Sequence, residues 1–83
     1  MANSSVIKRI GDFMARAFER DSVPVDEDIF ASGFTNSLFA MQLVDFVERE
    51  FGIEIDPEDL DIDNFRTLGR VAALVERKTA RAA

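Results

Sequence analysis

The chain contains no cysteine, histidine, tyrosine or tryptophan among its 83 residues. Without cysteine there is no disulfide, no thiolate metal ligand and no thiol nucleophile, which fits a reducing, cytoplasmic setting. Without histidine the commonest general base and metal ligand is missing, so chemistry is left to carboxylates, lysine, arginine and hydroxyls. The expectation is a protein that is not an enzyme, with no catalytic residues and no metal site. Nowhere do 18 apolar residues run together, and Lys8 and Arg9 are not followed by an apolar stretch, so neither a membrane span nor a secretory leader is expected. The length allows one small soluble domain, residues 1–83, with one core and little stability to spare.

Charge is unevenly placed. Residues 1–20 hold four cations and two acids, and residues 66–83 hold five cations and Glu76. Between them stand thirteen acids against Arg49 alone, a net charge of −12 in a chain whose total is −6. Nucleic acid and anionic membrane are poor partners for that middle, and basic protein surfaces are good ones.

Hydrophobic periodicity divides the chain into helices. Ile7, Ile10, Met14, Ala17 and Phe18 recur at helical spacing, widened by Val6 and Phe13, which predicts a helix from Ser5 to Arg20 capped near Ser4 or Ser5. Residues 21–36 have no sustained period and contain Pro24 and Gly33, predicting a long loop tacked down by Val25, Ile29, Phe30 and Phe34. Sixteen residues is long enough to suspect function. A second helix is expected from Ser37 to Phe51, with Asn36 as N-cap and Gly52 as the left-handed closing residue. Residues 53–61 read as a connection containing Pro57, and "DIDNF" as one short helical turn. A last helix follows Thr67, turns Leu68, Val71, Leu74 and Val75 inward, and frays from about residue 79. The alternation in "GIEID" is too short to pair as a strand. The fold class expected is all-α: a four-helix bundle with a long loop between helices one and two and a short third helix.

The second helix has an unusual surface. At about 100° per residue, Ala40, Leu43, Val44, Val47 and Phe51 share the core side, while Gln42, Asp45, Glu48 and Arg49 lie opposite. Leu38 and Met41 project among these polar residues, where they either pack beneath the 21–36 loop or form a small contact patch. Phe39 falls on the border between the faces. Ser37, at the first helical position, places its hydroxyl beside first-turn N–H groups and the positive end of the helix dipole, a setting that favours a phosphate ester. On its own, such a serine is usually only a helix-start residue.

The stretch "GFTNSLFAMQLVDFVEREFGIEIDPEDL" resembles the helix-two region of acyl and peptidyl carrier proteins, whose pattern is Gly, any residue, Asp-Ser-Leu, then an apolar helix closing near Glu-Phe-Gly. The resemblance covers nearly the whole chain, with "DEDIFASGF" before the serine and "FRTL" before the closing helix. It implies that Ser37 is where a phosphopantetheinyl transferase attaches the 4'-phosphopantetheine of coenzyme A. It also implies a monomer that presents acyl thioesters to acyltransferases, ketosynthases or tailoring enzymes. Asn36, Leu38, Phe39, Met41, Gln42, Asp45 and Glu48 match the partner-binding region, where Asp45, Glu48 and Glu50 would meet basic rims. Two positions depart from the pattern: Asn36 stands where the family usually has aspartate, and Gln42 where it often has glutamate. Asp45 adds an acid where the family often keeps an apolar residue. These changes imply specialised partners, and "NSLFAMQLVDFVE" is similar to free-standing polyketide carriers of small extender units such as alkoxymalonyl groups.

Three alternatives stand beside the acyl reading. One is an aminoacyl or peptidyl carrier of nonribosomal peptide synthesis. Another is an unmodified acidic helical adaptor that binds a basic protein through helix two. Calcium binding at "DIDN" is disfavoured, because an EF-hand loop starting at Asp61 needs glycine and glutamate where Arg66 and Ala72 stand.

Overall fold

The computed structural model describes residues 4–31, 33 and 36–82. Among these, every regular element is helical: α1 (Ser4–Phe18), α2 (Ser37–Phe51), two single 3-10 turns (Pro57–Asp59 and Ile62–Asn64), and α3 (Leu68–Ala82). The all-α class stands; the expected short third helix takes the form of two 3-10 turns, of which the second, Ile62–Asn64, is the short turn expected at "DIDNF". Aspartate side chains explain why no α-helix forms there. Asp56 and Asp59 make a reciprocal capping box around Pro57, and Asp61 accepts from the Asp63 N–H at 2.9 Å. Side-chain caps renewed every few residues take backbone donors that an i→i−4 ladder needs.

α1 ends two residues earlier than its periodicity suggests. Glu19 adopts φ 56°, the Arg20 N–H donates to the Ala15 carbonyl at 2.8 Å, and the Glu19 N–H donates to Arg16 at 3.2 Å. That is the left-handed closing motif usually built on glycine. Ser4 and Ser5 both lie inside the helix, so its capping position falls outside the described residues. α3 continues helically to Ala82, through the residues where fraying was expected.

α1 packs most extensively on α3. Ile10 and Met14 of α1, Leu43 and Val47 of α2, and Val71, Leu74 and Val75 of α3 are buried together, joined by Ile29 from the long loop. Phenylalanines fill the α1–α2 seam: Phe13 stacks on Phe46 with ring centroids 4.3 Å apart, and Phe18 meets Phe39 at 4.9 Å. Offset aromatic pairs of this kind add about 1 kcal/mol each beyond burial.

The loop after α1 is pinned by polar contacts as much as by packing. Val23 and Ile29 are buried, whereas Val25 is exposed, and Phe34 lies outside the described residues. Arg20 grips Glu27 through both terminal guanidinium nitrogens at 2.8 and 2.9 Å. The Ile29 N–H donates to the Arg66 carbonyl at 2.9 Å, and the Gly69 N–H donates to Val25 at 3.0 Å. A Cβ on Gly69 would stand 2.9 Å from Val25 Cγ1, so any larger residue there would force Val25 to shift.

Candidate functional site

Asn36 opens α2 in extended conformation, φ −147° and ψ −175°, and its side-chain oxygen accepts the Phe39 N–H at 3.0 Å. Its carbonyl accepts the Ala40 N–H, also at 3.0 Å, as the first bond of the helix. The N–H groups of Ser37 and Leu38, in the first turn, have no intrahelical acceptor and lie at the positive end of the helix dipole. Ser37 is exposed. At the far end Gly52 has φ 64°, the N–H groups of Gly52 and Ile53 converge on the Glu48 carbonyl, and the Glu48 carboxylate accepts from the Ile55 N–H at 2.9 Å. Both ends of this helix are as its cap residues forecast.

Ser37 borders an apolar groove of about 310 Å³. One wall is α2, through Ala40, Met41 and Val44; the other is the connection after it, through Leu60, Ile62 and Phe65, with Phe30 of the long loop beside them. Leu60 and Ile62 are 57% and 51% exposed, and are large apolar groups on an otherwise acidic connection.

The expected partner residues divide among several places. Leu38 and Met41 are 68% and 71% exposed, so neither is covered by the described residues of the 21–36 loop. Gln42 and Asp45 are exposed but border a different cleft, between α1 and α2, with Phe13, Arg16, Phe46 and Arg49. Asp45 pairs with Arg49 at 3.2 Å, and Glu50 with Arg9 at 3.2 Å. Glu48 is half-buried and occupied in closing α2. Phe39 corrects the expectation: at 8% exposure, against Phe13 and Phe18, it belongs to the core. Its border angle left the matter to tertiary packing, and two α1 rings decide it.

Two ion clusters flank the groove's outer wall. Arg66 bonds Asp28 at 2.9 Å and Asp63 at 3.2 Å, while Asp28 also accepts the N–H groups of Phe30 and Ala31. The Ala31 N–H and then the Arg66 guanidinium hold the Asp28 carboxyl below the usual carboxylate range, and Arg66 is raised in turn, chiefly by Asp28. Lys78, only 7% exposed, bonds Asp56 at 2.6 Å and also Asp59. Hydrogen bonding to Asp56 and then Asp59 raises its pKa against the opposing effect of burial. Lys78 continues the stripe of Val71, Leu74 and Val75, so its inward placement could have been read from spacing. The groove wall formed by Leu60, Ile62 and Phe65 had no comparable signal.

The site suits a phosphate ester with an extended arm: an exposed primary hydroxyl, a helix N-terminus to stabilise the negative charge, and an apolar groove opening beside it. Known proteins agree. Residues 8–75 match the family described as "Phosphopantetheine attachment site". The chain is 33% identical over 55 residues to the D-alanyl carrier protein of Lactococcus lactis subsp. cremoris (strain MG1363), covering 66% of this chain and 70% of that protein. It is 32% identical over 54 residues to the protein of the same name from L. lactis subsp. lactis (strain IL1403), covering 65% and 68%. The chain therefore belongs to the acyl carrier protein family, carriers whose covalent cofactor is 4'-phosphopantetheine.

Proposed function

We propose that Ser37 is the attachment residue and that the protein carries acyl intermediates in a polyketide or related secondary pathway. The observation that carries this reading is the Ser37 hydroxyl, exposed at the start of α2 and bordering the apolar groove. In the attachment, Ser37 Oγ forms a phosphodiester with the phosphopantetheinyl group of coenzyme A, while adenosine bisphosphate and the serine proton leave. The helix N-terminus stabilises the remaining negative charge. When bound, the arm supplies a terminal thiol that holds cargo as a thioester, which lets a cysteine-free chain handle thioester chemistry.

The chain's own residues bind and orient rather than react. Leu38 and Met41 supply a small apolar contact beside Ser37, and Asp45 and Gln42 border the neighbouring cleft. A phosphopantetheinyl transferase, acyltransferases and ketosynthases with basic docking surfaces fit such a surface, meeting a cytoplasmic monomer. Charge then speeds and orients encounters that must also end quickly. Asn36 caps as aspartate would but removes one negative charge beside Ser37, which favours specialised partners over general fatty acid synthesis.

The relatives named as D-alanyl carriers favour a second reading, an aminoacyl carrier. The apolar groove beside Ser37 supports the acyl reading, because an acyl chain would bury more of its surface there than an alanyl group. The test is to offer the phosphopantetheinylated protein either acyl-coenzyme A with an acyltransferase, or D-alanine, ATP and an adenylating enzyme, and to weigh the products. Acyl loading is expected. Loading by the adenylating enzyme alone would establish the aminoacyl reading instead.

A further inference from the structure

We propose that Lys78 is a positioning residue for the groove: from the buried side of α3 it fixes the wall formed by Leu60 and Ile62, and so sets how far acyl cargo is shielded. This rests on the reading that the groove receives cargo attached through Ser37. Neither 3-10 turn contains a buried residue, and Leu60 and Ile62 are more than half exposed, so burial of Ile55 and Phe65 anchors this segment only at its ends. Between them runs a bonded chain. Lys78 Nζ donates to Asp56 at 2.6 Å and also to Asp59, and Asp59 accepts the Asp56 N–H at 3.1 Å. The Asp59 carbonyl accepts from the Asn64 side chain at 2.9 Å, which joins the first turn to the second. The Leu60 N–H donates to Pro57 at 3.1 Å, and the Phe65 N–H to Ile62 at 3.0 Å.

The two ends of this strap are held differently. At the Arg66 end, Phe65 is 4% exposed and a backbone bond runs to Ile29, so packing and main chain support the ion cluster. At the Asp56 end, Ile55 is buried just before the turn, and Lys78 provides a side-chain tether to α3. The shielded ammonium offsets both carboxylates at once, and removing the cation leaves two acids facing each other. The wall should then move outward at Leu60 and Ile62 while the helices remain packed.

The test uses wild type, K78M and K78R, each loaded through the transferase with octanoyl- or acetyl-phosphopantetheine from the corresponding coenzyme A thioester. Hydroxylamine cleavage is followed by intact mass under conditions where circular dichroism shows each variant folded. An acetyl group has too little chain to fill the groove, so the acetyl-to-octanoyl rate ratio reports shielding and cancels changes that affect every thioester. The expected ratio is several-fold in wild type, close to one in K78M, and mostly retained in K78R. A K78M ratio equal to wild type overturns the role of Lys78 while leaving cargo shielding intact. A wild-type ratio of one overturns cargo shielding and the role of Lys78 together. If K78M does not hold its fold, D56N, which keeps Asp59, decides: an intermediate ratio supports the proposal and a wild-type ratio overturns it.

Discussion

The two faces of α2 use the same kinds of residue to opposite ends. Phe39, Leu43 and Val47 are buried, the last two completely, while Leu38 and Met41 on the other face are about 70% exposed. Apolar side chains facing the core stabilise the fold through area removed from water, roughly 25 cal/mol per Å². The same side chains facing solvent contribute little to folding and retain that area for a partner. Residue type alone therefore does not separate structure from function in this helix; angular position does. Ser37 lies at the junction, exposed like the solvent-facing side but held by the cap that starts the buried one.

Substitutions along α2 should widen or collapse this contrast. The largest effect is expected at Leu43, where alanine leaves a cavity at a fully buried position and should cost about 2–5 kcal/mol in urea unfolding. A loss below about 1 kcal/mol would mean that the buried face is less tightly packed than it looks. Asn36→Ala removes the oxygen that accepts the Phe39 N–H and should cost about 1 kcal/mol. Asn36→Asp keeps an acceptor and should leave stability nearly unchanged, while altering recognition beside Ser37. Leu38→Ala and Met41→Ala should change stability by no more than about 0.5 kcal/mol. They should instead slow transfer by a cognate partner on the order of tenfold, read as kcat/KM. Equal losses of stability on both faces would erase the distinction.

The smallest effect concerns the loop that leads into α2. The Asp28 pKa is lowered in the folded protein, first by the Ala31 N–H and then by Arg66. Its stabilising contribution is therefore complete above the unfolded value, about pH 4, and is lost as pH falls through the lower folded value. Asp28→Asn should flatten the acid limb of a stability-versus-pH curve. An unchanged acid limb would show that the clamp to Arg66 does not hold the loop. Lys78 behaves in the opposite sense: its raised pKa keeps its contribution intact at neutral pH and loses it only in strong alkali.

What could be read in the sequence was local. Asn36 and Gly52 mark the ends of α2 because capping depends on a few neighbouring backbone groups, and the 3.6-residue period placed Leu38 and Met41 outward without knowledge of the rest of the fold. Phe39 was ambiguous because its burial depends on Phe13 and Phe18, more than twenty residues away. The short turn at "DIDNF" was legible and is present as Ile62–Asn64, whereas the turn before it, Pro57–Asp59, was not foreseen because it depends on the reciprocal caps of Asp56 and Asp59. The groove was not legible at all. Its walls come from the long loop, α2 and the connection, and no sequence period relates Phe30 to Ile62. Lys78 is the intermediate case, inward by spacing but given its partners only by the turn that folds over it.

The central claim is that the exposed serine at the start of α2 receives the arm. The most direct measurement is intact mass after incubation with coenzyme A, magnesium and a broad-specificity phosphopantetheinyl transferase, with Ser37→Ala alongside. Wild type should gain one phosphopantetheinyl group and Ser37→Ala none, with its circular dichroism unchanged. The same gain on Ser37→Ala, or no gain on wild type with any of several transferases, would contradict the assignment of Ser37.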